Sequence, residues 1–165
     1  MRHIAIALAV ALVACGQSPA PGLALPAAAI PAPTTAHAEP ARLPAEVIAS
    51  RIAALPAPYN LGDYENGRSV FTQCRACHTT GAGEPNRVGP RLHAVMGRQA
   101  GSVADFRNYS PALKESGVVW DAATLDRWVA NPRDVVAASN MIFPGLRKAE
   151  DRRDLVAYIA VDSAE

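Results

Sequence analysis

The chain has 165 residues, of which 16 are Lys or Arg and 15 are Asp or Glu, so its formal net charge is +1. This balance excludes a nucleic-acid binder that works through a broadly basic surface, and also a long acidic tail. Hydrophobic residues make up 50% of the chain, but aromatic residues make up only 5%. Alanine, a small residue, accounts for much of the apolar total. The apolar fraction therefore overstates the core that the chain can build.

The N-terminus has the pattern of an export signal. A short polar start precedes an apolar run over residues 4–14, which fits a secretory h-region and is shorter than the roughly 20 residues of a membrane-spanning helix. The run ends in Leu-Val-Ala-Cys, which resembles a bacterial lipobox. We therefore expect a lipoprotein signal peptide over 1–14 and a diacylglycerol anchor on Cys15. The alternative is cleavage after Ala38, much further along the chain, which would release a soluble periplasmic protein.

The segment that follows is rich in alanine and proline. Residues 16–58 contain nine of the 14 prolines together with 14 alanines, a composition that favours extended, polyproline-type chain. We interpret residues 15–58 as the lipidated cysteine and an Ala/Pro-rich tether. Within it, residues 45–55 have a ragged apolar face that predicts a short helix beginning after Pro44. The remainder, residues 59–165, suffices for one small domain.

Two further cysteines lie in the motif Cys74-Arg75-Ala76-Cys77-His78. A C-x-x-C pair is typical of a redox dithiol, of half a zinc site or of a covalent haem attachment. Zinc needs two more Cys or His ligands at short spacing, whereas the other histidines are scattered. A thioredoxin-like dithiol belongs after a strand, whereas helical periodicity precedes Cys74. The adjacent His78 favours one haem c, bound covalently by both cysteines with the imidazole on iron.

The second axial position of that iron separates possible functions. An open position permits substrate binding or oxygen chemistry, whereas a strong second ligand favours electron transfer. Met96 lies in an apolar stretch, where a methionine usually fills space in the core. Met141 lies in a polar segment that leads into a turn, where a loop can place the thioether over a bound group. Met141 is therefore the preferred ligand.

Residues 62–161 resemble class I cytochrome c, the mitochondrial and bacterial electron carrier. Besides the C-x-x-C-H motif, the resemblance rests on residues 62–71 as a first helix with Asp63 as its N-cap, and on residues 155–159 as a final helix. It implies an all-α class I cytochrome c fold with four to five helices wrapped around one covalently bound haem. It also implies that the first and last helices cross closely at Gly67.

The resemblance implies roles for further residues around the haem. The carbonyl of Pro90 would accept the proton of the haem-ligating His78 and so orient its ring. Phe143, two residues after Met141, would lie beside the exposed haem edge. Three residues match positions that hydrogen-bond a haem propionate: Arg98, Tyr109 and Trp120.

The sequence departs from the family pattern in three ways. Ala137-Ala138 replace the Pro-Gly that usually precedes the methionine loop, which removes two stiffening residues. Val135 stands where the family often has a tyrosine that donates a hydrogen bond to the methionine sulfur, so we expect that donor to be lost. The family's ring of lysines is also missing. The candidates for a positive patch at the haem edge are Arg75, Arg87, Arg91, Arg147 and Lys148.

The resemblance therefore implies a one-electron carrier without catalysis of its own, shuttling electrons between respiratory complexes on the periplasmic side of the membrane. The expected partners are redox proteins, namely a cytochrome bc complex, a terminal oxidase or a dehydrogenase, and the domain is expected to be a monomer that binds no nucleic acid. Two alternatives stay open. One is a peroxidase-like haem enzyme or gas sensor with a labile sixth ligand, and the other is a tethered subunit of a respiratory complex.

Overall fold

The computed structural model describes residues 42–164. The predicted signal peptide, the predicted lipid anchor on Cys15 and the alternative cleavage site after Ala38 lie outside these residues. Within them the chain forms helices and turns, and its only β-type pairing is an isolated antiparallel bridge between Gln99 and Val119. The predicted all-α class is confirmed. None of the described helices is long and apolar enough to cross a membrane.

The described residues contain six α-helices and one 3₁₀ turn, at Tyr59–Leu61. The first of these α-helices lies in the segment assigned to the tether, and the other five lie in the predicted domain. The α-helices are α1 (Ala45–Ala53), α2 (Tyr64–Phe71), α3 (Pro111–Glu115), α4 (Ala122–Ala130), α5 (Pro132–Val135) and α6 (Ala149–Asp162).

Side-chain caps determine where two central helices begin. The Asp63 carboxylate accepts a hydrogen bond from the Asn66 N–H at 3.0 Å, so α2 begins directly after the predicted N-cap. Asp121 does the same for the Thr124 N–H at 2.7 Å, and α4 therefore begins at Ala122. These caps satisfy N–H groups that have no partner within their own helix.

The α2–α6 crossing forms the centre of the core. A Cβ atom at Gly67 would overlap the backbone carbonyl of Asp154 and the Cβ of Tyr158, so the two helices can approach only because this residue has no side chain. The Tyr158 ring packs against Tyr64 and Phe71, each at a centroid distance of 5.1 Å. The predicted close approach of the first and last helices is therefore present.

A buried carboxylate joins the two helices beside that contact. Asp154 is only 3% exposed. Its side chain accepts hydrogen bonds from the Asp63 N–H at 3.0 Å, from Asn66 Nδ2 at 2.8 Å and from Arg153 Nε at 2.8 Å. Because three donors surround the charge, its burial costs less than that of an unpaired carboxylate.

Helix α1 packs against the domain, although the composition of its segment predicted a tether. It contacts α6 and the 3₁₀ turn, and Arg51 Nη1 donates to the Val161 carbonyl near the end of α6 at 2.9 Å. Ile48 and Ile52 are partly buried against the core. The folded unit is therefore longer at its N-terminal side than the predicted domain, because α6 supplies the partner surface that the ragged apolar face of α1 needs.

Candidate functional site

One cleft collects residues from distant parts of the chain. Its walls are largely apolar and include Phe71, Val95, Leu125 and Val129. Met96, expected to fill space in the core, packs partly buried against the core cluster. All the described residues selected from the sequence as haem contacts line the cleft: Cys74, Cys77, His78, Pro90, Arg98, Tyr109, Trp120, Met141 and Phe143.

The His78 imidazole has a defined orientation in this cleft. Its Nδ1 lies 2.7 Å from the carbonyl oxygen of Pro90, so the contact that the resemblance implied is present. Because a carbonyl can only accept a hydrogen bond, Nδ1 carries the proton and Nε2 keeps its lone pair. A Cβ at Gly89 would overlap the imidazole ring, which therefore packs on bare backbone. Burial lowers the pKa of His78, although the bond to Pro90 opposes that shift.

The two cysteines follow α2 in a helical turn. The Cys74 N–H donates to the Phe71 carbonyl at 2.8 Å and the His78 N–H to the Cys74 carbonyl at 2.9 Å, which keeps the motif compact. Burial, and secondarily Cys77, raises the pKa of the Cys74 thiol to about 11. A catalytic dithiol needs a lowered pKa, so this environment disfavours the thioredoxin-like alternative. Within residues 42–164 no cluster of three His, Cys, Asp or Glu side chains could hold a metal such as zinc.

Met141 lies in the methionine segment, residues 139–146, and its side chain is partly buried. The sulfur accepts a hydrogen bond from Trp128 Nε1 at 3.1 Å. The tyrosine donor is absent, because Val135 packs against the core, but the sulfur still has a donor: the indole on α4 replaces the tyrosine. The helical periodicity of α4 predicts Trp128 only as a core residue, although a buried indole N–H requires an acceptor.

The methionine segment contacts two further parts of the cleft. The Met141 N–H donates to Ser139 Oγ at 3.1 Å, and Asn140 Nδ2 donates to the Asn108 carbonyl at 3.0 Å. Ser139, Asn140 and Asn108 also line the cleft. Their sequence positions do not indicate this role, since polar residues in a loop carry no distinctive signal by themselves.

Arg98 leaves a positive charge in the cleft. Its Nη1 donates to the His93 carbonyl at 2.6 Å and its Nη2 to the Arg91 carbonyl at 3.0 Å. Burial lowers the pKa of this guanidinium. Both partners are neutral, and in the described part of the chain no carboxylate pairs with Arg98. An anionic group in the cleft, with Tyr109 nearby, would compensate this charge.

The outer rim of the cleft carries exposed apolar side chains, and one arginine proposed for its positive patch is already paired. Val88 is 72% exposed and Ile142 is 95% exposed, and both line the cleft. Arg91, one of the five residues considered for a positive patch, donates from Nη1 to both carboxylate oxygens of Asp105 at 2.7 Å. Its charge is therefore compensated, so Arg91 adds little to any positive patch.

The donor set and the shape of the cleft fit a haem. Two thiols lie beside an imidazole whose Nε2 is free to bind iron, and a thioether enters from a different element. Apolar walls suit the macrocycle, and the uncompensated Arg98 suits a propionate. Imidazole and thioether together are a known axial pair for haem iron in electron carriers.

Comparison with known proteins gives consistent results, although no protein-family model matches the chain. The chain is 43% identical over 107 residues to cytochrome c2 of Rhodomicrobium vannielii, a match that covers 65% of this chain and 85% of that protein. It is 40% identical over 106 residues to cytochrome c of Kluyveromyces lactis, covering 64% and 96%. Among solved structures, cytochrome cH from Methylobacterium extorquens is similar, with a TM-score of 0.55, 42% identity and coverage of 59% and 97%.

Proposed function

Because the chain belongs to the class I cytochrome c family, whose single haem c is attached by the pair that Cys74 and Cys77 form here, we propose that it carries single electrons with His78 and Met141 as axial ligands. The relatives are cytochromes c, which are electron carriers, so the predicted non-enzymatic role and the predicted cofactor are confirmed. The axial ligands, the compartment and the partners are the proposal. The arrangement of His78 and Met141 in one cleft supports it most directly.

Each side of the cleft would contribute to rapid electron transfer. A haem supplies an iron that changes oxidation state by one electron. Pro90 orients His78 and makes its Nε2 a stronger donor, while Trp128 fixes the Met141 sulfur. Two permanent ligands keep the geometry similar in both oxidation states, and apolar walls exclude water. Arg98 would bind a propionate, and the rim at Val88 and Ile142 would leave one haem edge accessible to a partner.

The ligand assignment is tested by absorption spectroscopy of the ferric holoprotein, matured in a host that attaches haem c. Methionine ligation of ferric haem gives a weak long-wavelength charge-transfer band. We expect this band in the wild type and in the control Met96→Leu, and its loss in Met141→Ala. A wild type without the band, or a Met141→Ala variant that retains it, would contradict the assignment. The first result would favour the haem enzyme or gas sensor with a labile sixth ligand.

We further propose that the carrier works in the bacterial periplasm, anchored by a lipid on Cys15 and separated from the membrane by the Ala/Pro-rich segment. A cytochrome bc complex or a dehydrogenase would donate electrons, and a terminal oxidase would accept them. Mass spectrometry of the mature N-terminus tests the anchor: diacylated Cys15 supports it, and a free N-terminus at Glu39 contradicts it. Purification in mild detergent tests the shuttle, because a stable stoichiometric complex would instead identify a tethered respiratory subunit.

A further inference from the structure

The downstream end of the methionine segment is bonded to two helices. Arg152, in α6, donates from Nη1 to the Leu146 carbonyl at 3.2 Å and to the Arg147 carbonyl at 3.0 Å. The Leu146 N–H donates to the Val129 carbonyl near the end of α4 at 2.8 Å. These bonds fix the chain only five residues after Met141, so the position of Arg152 bears directly on where the methionine can reach.

Arg152 is itself held by Asp126, a side chain outside the methionine segment, and Asp126 is held in turn by Tyr59. Its Nε lies 2.6 Å from Asp126 Oδ1, and the Tyr59 hydroxyl donates to Asp126 Oδ2 at 3.2 Å. The side chains of Arg152 and Asp126 are only 19% and 29% exposed, so solvent screens this pair less than a surface ion pair. Burial first, and then the charge of Asp126, raises the pKa of Tyr59 to about 12, so the phenol remains a donor at neutral pH.

Helix α4 supports the methionine segment directly through Trp128 and indirectly, from a different face, through Asp126 and Arg152. Trp128 bonds to the Met141 sulfur, whereas Asp126, two residues earlier and therefore on another face, bonds to Arg152. The first contact acts at the Met141 sulfur, and the second acts through Arg152 on the chain at Leu146 and Arg147. Tyr59 belongs to the 3₁₀ turn before α2, so the N-terminal side of the domain also contributes to this second contact.

We propose that Tyr59, Asp126 and Arg152 form a latch that keeps Met141 on the haem iron. They are positioning residues: none is needed to bind the haem, but their bonds must break before the methionine segment can swing away. The inference rests on the proposed ligation by Met141. Local opening of a segment costs less free energy than unfolding of the whole domain. The apparent affinity of a ligand that binds only the open form therefore depends on how much of that form is present.

Imidazole competition measures this population. Imidazole is titrated into ferric holoprotein at constant pH, and its binding is followed by loss of the methionine charge-transfer band. Removing a charge-assisted hydrogen bond should lower the apparent Kd for imidazole about tenfold in Asp126→Asn and about threefold in Tyr59→Phe. The matched control is Asp134→Asn, an equal change of charge at an exposed position on α5, and it should leave the Kd unchanged.

Two further measurements separate a latch from a general contribution to stability. Amide hydrogen exchange at Leu146 should accelerate in Asp126→Asn, while amides of α6 residues such as Leu155 exchange at rates set by global unfolding. Arg152→Lys keeps the charge but not the forked geometry, so it should lower the Kd by less than Asp126→Asn. If Asp126→Asn does not mature, Tyr59→Phe and Arg152→Lys provide the test.

The outcomes distinguish failure of the latch from failure of the proposed function. If the wild type shows the methionine band but Asp126→Asn and Tyr59→Phe bind imidazole no more tightly than Asp134→Asn, the latch is wrong and the ligand assignment stands. If the wild type lacks the band, Met141 is not the ligand, and both proposals are wrong.

Discussion

The α2–α6 crossing and the methionine segment are stabilised in different ways. At the crossing the backbones touch at Gly67, and the α6 residues 155–159 are all buried. In the methionine segment Ile142 is 95% exposed, and individual hydrogen bonds at Met141 and Leu146 hold the chain. A change in side-chain volume at a closely packed contact lowers the stability of the whole domain. A segment held by a few individual hydrogen bonds can instead open while the rest of the domain stays folded.

This difference in packing indicates that the two regions have different roles. The crossing provides the global stability of the domain, and substitutions there should change unfolding. The methionine segment provides the proposed second ligand, and substitutions there should change spectra, potential or ligand exchange while leaving unfolding nearly unchanged. Substitutions in each region, with matched controls, test whether this division holds.

The largest effect is expected at the helix contact. Gly67→Leu would place a side chain where the Asp154 carbonyl and Tyr158 lie, so the helices must separate. We expect a loss of roughly 3 kcal/mol or more in the free energy of unfolding, or failure to mature. Denaturant unfolding measures the loss. Ser69→Leu, which adds the same side chain on the exposed face of α2, is the control; an equal loss in both variants would contradict the packing argument.

A somewhat smaller effect is expected from the buried carboxylate of the crossing. Burial opposes ionisation of Asp154, but hydrogen bonds from Asp63, Asn66 and Arg153 outweigh it and hold the pKa of Asp154 below its ordinary value. A carboxylate with a lower pKa in the folded than in the unfolded protein stabilises the fold when the pH lies above the unfolded pKa, which is about 4 for Asp. This stabilisation is lost as the pH falls through the folded pKa.

Asp154→Asn should therefore cost about 2–3 kcal/mol at neutral pH and flatten the acid side of the stability profile. Unfolding free energies measured from neutral to strongly acidic pH test both statements. Glu150→Gln, at an exposed position in the first turn of α6, is the control. A variant that loses stability with acid as steeply as the wild type would contradict the assignment of the pH dependence to Asp154.

A moderate effect on the reduction potential is expected from the indole on α4 that bonds to the methionine sulfur. Trp128→Phe removes the donor to the Met141 sulfur, so the sulfur donates more electron density to ferric iron. A hydrogen bond of about 0.5–1 kcal/mol corresponds to a potential lower by about 20–40 mV for one electron. Spectroelectrochemical titration measures the shift, with Val135→Ala as control. An unchanged potential in Trp128→Phe would show that the hydrogen bond does not tune the iron.

The smallest effect is expected from the exposed charge just beyond the methionine segment. Arg147→Gln should slow electron transfer to anionic ferricyanide about twofold at low ionic strength, and added salt should abolish the difference. Arg127→Gln, an equal change on the exposed side of α4, is the control. Equal rates for the two variants, without salt dependence, would contradict a positive patch at the cleft.

Much of the cleft could be predicted from the sequence, because several of its residues lie close together in short sequence motifs. Cys74, Cys77 and His78 are contiguous, and Asp63 caps its own helix, so local geometry determines their placement. Met141 was preferred because it lies in a polar segment that leads into a turn, whereas Pro90 required resemblance to a family, since a Gly-Pro dipeptide does not specify a contact. Asp63 caps α2, and the other five residues line the cleft, as expected.

Two tertiary contacts were not predicted, for one physical reason. The replacement of the tyrosine donor by Trp128, and the packing of α1 on the domain, lie outside what local composition and the nearest family position can indicate. Trp128 meets its acceptor only when α4 packs beside the methionine segment. The apolar face of α1 is too weak to predict a partner, and α6 and the 3₁₀ turn provide one in the folded domain.

The sequence by itself determined the covalent chemistry of this protein, its helical class and the identity of its candidate ligands, since adjacent residues and helix periodicity are local properties of the chain. Only the tertiary structure decided which side chains support those ligands: Tyr59 meets Asp126 across 67 positions and Asp126 meets Arg152 across 26. Such contacts depend on how whole helices pack, and packing is a property of the complete set of side chains and of no single segment.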